Sequence, residues 1–66
     1  MKEGDKVRAL VAIGYHFSAV PAGTLGEVIS INMDLNWVMV NFGGIIRTPY
    51  KNELEVINED GGNIGG

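Results

Sequence analysis

Glycine and proline cut this chain into pieces too short for helices of ordinary length. Ten glycines and two prolines fall among 66 residues, and no segment sustains an apolar repeat at the 3.6-residue helical period. The pieces carry strand chemistry instead: β-branched and aromatic runs bounded by turn-forming residues. Residues 6–13 read as a first strand, with Val7, Ala9, Val11 and Ile13 on one face and Lys6 and Arg8 on the other, although Leu10 and Ala12 break the polar side. Residues 14–22, GYHFSAVPA, form a long aromatic loop.

The second strand, residues 23–32, does not keep one phase, because Val28 and Ile31 cannot share a face in a regular strand. A bulge or sharp bend at Ile29-Ser30 reconciles them, as barrels require where a strand turns a corner. After a turn at residues 33–36, residues 37–42 form the third strand, Gly43-Gly44 a hairpin turn, and residues 45–48 the fourth. Residues 49–53 suit a single helical turn and residues 54–57 a short fifth strand. Residues 58–66, NEDGGNIGG, have four glycines and little to bury, so disorder is expected there.

The expected fold is therefore all-β: one five-stranded barrel over residues 1–57, with a helical turn before its last strand. The stretches GDKVRAL, GTLGEV, WVMVNF and KNELEVI resemble small SH3-like barrels. These include the KOW-type modules of ribosome and transcription proteins, photosystem I subunit IV and the variable chain of ferredoxin–thioredoxin reductase. The resemblance covers residues 4–57 and implies fold alone, since such barrels host many functions. The G-D-K-V-R start and the Pro49 ahead of a closing Leu-Glu also resemble the type II dihydrofolate reductases. That family lines a tetramer pore with Val-Gln-Ile-Tyr. Here the corresponding positions hold Ile45, Ile46, Arg47 and Thr48, so the Gln, Ile and Tyr are all replaced and the activity does not carry over.

Size and charge narrow the classes. A chain this short buries only about 60% of its unfolded surface. The absence of cysteine excludes disulfides and thiolate metal sites. One histidine and carboxylates far apart in sequence offer no metal site, and no cofactor is expected. Mixed charge at the start and the lack of a long apolar run argue for a cytoplasmic protein that does not enter membranes. Residues 1–52 hold five cations against four carboxylates, whereas residues 53–66 carry four carboxylates and no cation. This is a weak footprint for nucleic acid, which would have to use Lys6, Arg8, Arg47 and Lys51. His16, flanked by Tyr15 and Phe17, finds no nucleophile to activate and reads as a solvent-facing loop residue.

The remaining candidate is the third strand, WVMVNF, which is apolar on nearly both faces where a half-buried strand alternates. Loop length decides which side chains travel together. A two-residue loop, Gly43-Gly44, sets Arg47 on the Val38/Val40/Phe42 face and gathers Trp37, Met39 and Ile46 on the other, which then becomes core. A three-residue loop, Phe42-Gly43-Gly44, makes Val38, Val40, Ile46 and Thr48 the core and leaves Trp37, Met39, Asn41, Ile45 and Arg47 outside. The second register keeps Arg47 in water and places a glycine at the left-handed loop position. It predicts an exposed stripe of Trp37, Met39 and Ile45 beside Arg47, residue types enriched in interface cores. Either the first loop folds over the stripe with Tyr15, Phe17 and Val20, or a partner covers it. The function expected is a non-enzymatic binding or accessory module, taking a protein partner or a second copy through Trp37, Met39, Ile45 and Arg47, with Tyr15, His16 and Phe17 flanking.

Overall fold

Five of the apolar runs become strands: β1 Lys6–Ala9, β2 Leu25–Asn32, β3 Trp37–Phe42, β4 Ile45–Arg47 and β5 Leu54–Val56. The computed structural model describes residues 1–57, the His16 side chain excepted; the acidic segment 58–66 expected to be disordered lies outside them. All pairings are antiparallel and the strand order is β4-β3-β2-β1-β5. Helical structure among the described residues is limited to two 3-10 turns, His16–Ser18 and Lys51–Glu53.

The first strand is shorter than the alternation suggests. β1 lies between β2 and β5, and its ladder ends with the pairs Arg8↔Leu25 and Ala9↔Leu54. Leu10 and Val11 then emerge into solvent, and the chain rejoins only at Ile13, which bridges Val20 across the neck of the first loop. Alternation alone could not mark that exit, because apolar residues continue on both sides of it.

The bulge in β2 falls where the phase conflict placed it. Val28 opposes Val40, Ser30 opposes Met39 and Ile31 opposes Val38, so Ile29 is the extra residue. With it inserted, Val28 and Ile31 share the inner face, Val28 buried and Ile31 packed against the core.

The β3–β4 register differs from the one preferred above. Phe42 pairs with Ile45, Asn41 with Ile46 and Val40 with Arg47, so the loop is Gly43-Gly44 alone. Both glycines have positive φ, 68° and 104°. A two-residue turn with left-handed torsions at both positions matches the right-handed twist of the flanking strands. Asn41 adds a local anchor, its Oδ1 accepting the Gly44 amide at 2.6 Å. Phe42 is therefore a buried strand residue, while Ile46 and Thr48 are exposed rather than core. The shorter loop does not turn Trp37 and Met39 into core either. Val38, Val40 and Phe42 are 0%, 0% and 4% exposed, and Trp37 and Met39 are half-buried on the opposite face. Arg47 tolerates the core-facing phase because β4 is an edge strand, and a long side chain can run out along apolar surface to the rim.

The core comprises Val7, Ala9, Ile13, Val20, Val28, Val38, Val40, Phe42 and Leu54. Beyond β4 the chain returns over the start of β3: Val38 N–H donates to the Pro49 carbonyl and Lys51 N–H to that of Asn36, both at 2.9 Å. Trp37 and Tyr50 form a bridge there. The Leu10 amide donates to Glu53 O at 2.8 Å, tying the same segment to the end of β1.

Candidate functional site

The return of the chain over β3 builds a cleft. One wall is the first loop, where Tyr15 is 82% exposed and the Ser18 hydroxyl donates to the Tyr15 carbonyl at 2.9 Å. The other wall is the segment from Arg47 through Pro49 and Tyr50, and about 620 Å³ lies between them. Tyr50, 59% exposed, also lines a second, open hollow of about 540 Å³ together with Leu35, Asn36, Lys51 and Asn52. Opposed residues of an antiparallel bridge share a face, so the half-buried Trp37 emerges on the Tyr50 side of the strand.

Arg47 holds the walls together. Its Nη2 donates to the Ser18 carbonyl and its Nη1 to the Ile46 carbonyl, both at 2.9 Å. It is a half-buried strap from β4 to the first loop, where the three-residue register predicts a free cation on the outer stripe. Glu53 braces the opposite wall, its Oε1 accepting the Tyr50 amide at 2.8 Å.

The seven residues singled out from sequence do not form one surface. Tyr15 and Arg47 line the cleft, and Trp37 adjoins it through Tyr50. Phe17 stands fully exposed on the 3-10 turn His16–Ser18, where the His16 backbone also lies. Met39 sits across from Ser30, away from the cleft walls, and Ile45 caps the hairpin beside Phe42. The first loop does not cover Trp37 with its aromatics: Tyr15 and Phe17 face solvent, and Val20 is buried in the core. The sequence reading leaves Pro49 and Tyr50 out of the binding face and names Lys51 only as a cation that nucleic acid would use. The available signal was an aromatic directly after a proline and directly before the helical turn.

Charge is distributed just as unevenly. Lys6 and Arg8 face their cross-strand partners Glu27 and Glu55, with ion pairs at 3.1 and 3.6 Å. Lys2 pairs with Asp5 at 3.0 Å. The four cations that a nucleic-acid surface would draw on are thus split, two paired along β1 and two, Arg47 and Lys51, at the clefts. Among the described residues no three His, Asp or Glu side chains gather to hold a metal, and no helix is long and apolar enough to cross a membrane.

No protein-family model matches this sequence, and no match was found among curated proteins. Among solved structures, the chain is similar to the C-terminal SH3 domain of myosin IB from Entamoeba histolytica, determined bound to an EhFP10(GEF) peptide. The two share 15% identity over 86% of this chain and 88% of that one, with a TM-score of 0.66. The likeness is one of fold: strand number, strand order and structural neighbour together make this chain an SH3-like, all-β domain.

Proposed function

We propose that this protein is a non-enzymatic peptide-binding module and that the peptide lies in the cleft between the first loop and the Arg47–Tyr50 segment. The observation carrying this reading is a concave site with an exposed aromatic on each side, Tyr15 and Tyr50, and Pro49 between. Aromatic-lined grooves of this shape suit extended, proline-rich segments, whose backbone is already ordered before binding. That the myosin IB SH3 domain was determined with a peptide bound supports the same reading. Two cleft groups that could do chemistry are engaged elsewhere, the Ser18 hydroxyl on a backbone carbonyl and the Glu53 carboxylate on a backbone amide. Self-association through strand edges is the weaker alternative, because β4 and β5 are three residues each and short edges template pairing poorly.

Titration of the isotope-labelled chain with proline-rich peptides tests the proposal. Amide shifts are expected to cluster at Tyr15, Ser18, Trp37 and Tyr50. Tyr50→Ala is expected to weaken binding at least tenfold, by the roughly 2 kcal/mol of a buried aromatic anchor, while the melting temperature stays close to that of the parent. Shifts confined to Met39, Ile45 and Ile46 would move the site to the outer face of the hairpin and overturn the assignment.

A further inference from the structure

The cleft carries a charge signature of its own. Of the five cations, Lys2, Lys6 and Arg8 are each paired with a carboxylate, at 3.0, 3.1 and 3.6 Å. Arg47 and Lys51 have no ion-pair partner among the described residues, and each lines one of the two hollows that share Tyr50. The first loop, residues 10–24, brings no carboxylate to face them. Glu53 does reach the cleft, but its Oε1 is held by the Tyr50 amide at 2.8 Å. The Arg47 guanidinium gives two bonds to carbonyl oxygens, which leaves part of its five-donor fork unused.

From this distribution we infer that the ligand is an acidic peptide: an extended segment that lays its apolar or proline residues on Tyr15 and Tyr50 and carries carboxylates towards Arg47 and Lys51. This rests on the peptide-binding reading above and adds the ligand's charge to it. Arg47, already ordered by Ser18 O, presents a fixed planar donor at the first-loop end, and planar forks match carboxylates. Lys51 offers a flexible ammonium beyond Tyr50. The chain's formal charge of −3 opposes an acidic ligand at long range, yet salt near 0.1 M screens exposed charges beyond about 10 Å. Contact with the two cations acts inside that distance.

The test uses the intact chain and three proline-rich peptides of one length that differ only in charge: Asp/Glu at the variable positions, the isosteric Asn/Gln set, and Lys. The acidic peptide is expected to bind about fivefold tighter than its neutral isostere, the scale for two exposed ion pairs, and to lose that advantage at high salt. Lys51→Gln is expected to reduce the ratio to about twofold. This substitution alters an exposed side chain and leaves its backbone bond to Asn36 in place, and a melting curve confirms that the variant is folded. Equal binding of all three peptides, or a preference for the lysine peptide, would overturn the acidic assignment and leave the peptide-binding reading standing. An acidic preference untouched by Lys51→Gln would also overturn it, because Lys51 would then take no part. If no peptide of any charge binds, the peptide-binding reading fails and this inference fails with it.

Discussion

The outer face of the β3–β4 hairpin and the cleft beside Tyr50 both expose apolar side chains, but only in the cleft do exposed aromatics stand on two facing chain segments. On the hairpin, Trp37, Met39 and Ile46 lie on one face of a twisted ribbon, the first two half-buried and Ile46 half-exposed. At the cleft, Tyr15 and Tyr50 stand on separate segments with a void between them, and a cationic side chain lines each of the two hollows that share Tyr50. Exposed apolar area alone does not mark a site, since much of any folded surface is apolar. Paired aromatic walls together with unpaired charge separate these two regions, where composition makes them look alike.

One core cluster underlies both regions, and Gly26 is the place to break it. A Cβ built there would lie 2.6 Å from Val40 Cγ1, 2.8 Å from Phe42 Cδ1 and 3.0 Å from the Asn41 carbonyl. Val40 and Phe42 are packed in the core with little room to swing aside, and the Asn41 carbonyl must also give by a few tenths of an ångström, so β2 shifts against β3. Gly26→Ala is expected to cost about 3 kcal/mol, at the upper end for overpacking, and chemical denaturation measures it. Loss of hairpin and cleft in one transition would show the shared core. A variant that keeps its full stability would mean the β2–β3 seam is looser than its geometry.

Arg47 is the link between the two regions, so its removal separates them. Arg47→Met keeps the apolar stem and deletes both guanidinium bonds. The expected loss is about 1.5 kcal/mol, the scale for hydrogen bonds from a charged donor. Hydrogen exchange gives the sharper readout: the amides of Ile13 and Val20, which bond each other's carbonyls at the loop neck, are expected to exchange faster, while Val38 and Val40 keep their protection. Equal acceleration in both places would show that Arg47 supports the barrel as a whole and not the first loop.

How much of this was readable before the structure follows from the same two regions. Strand number and order along the chain are legible because alternation and glycine punctuation are local, and so is the bulge, since Val28 and Ile31 could not otherwise share a face. The end of β1 at Ala9 is not legible, because apolar residues run on past it. The hairpin register was not, because a Gly-Gly pair serves a two- or a three-residue loop. Keeping Arg47 out of the core then favours the longer loop, but β4 is an edge strand from which a long side chain can leave. The cleft was hidden for a different reason. Its walls are residues 15–18 and 47–50, which meet only when the chain crosses back over β3, and no local pattern encodes that meeting.

The register itself can be tested with a smaller perturbation. Gly44 has φ of +104° and open space around a Cβ, so any penalty for Gly44→Ala comes from backbone strain. The two-residue turn predicts a loss of about 1 kcal/mol, with the face assignments of β3 unchanged. A neutral or stabilising effect would mean that the loop relaxes to a different register, and Arg47 would then be free to leave Ser18.

The smallest expected effect lies away from both regions, at Asp5, and serves as their control. Its carboxylate accepts from the Lys2 ammonium at 3.0 Å and from the Lys2 backbone amide at 2.9 Å. Those bonds hold the carboxyl below its ordinary value of 3.8, the side-chain bond from Lys2 being the larger cause. A depressed folded value means that the unfolded chain binds the proton more readily, so acid favours unfolding. The contribution is complete above pH 3.8, erodes as pH falls below that value and is gone once pH has passed the depressed folded value. Asp5→Asn is therefore expected to lower the melting temperature slightly at neutral pH and to match the parent in strong acid. Because the turn holding Asp5 joins β2 through Val28 and touches neither cleft wall, peptide affinity is expected to stay constant in the variant. A change in affinity there would show that the cleft responds to the stability of the whole barrel, and the contrast between the two regions would lose its local basis.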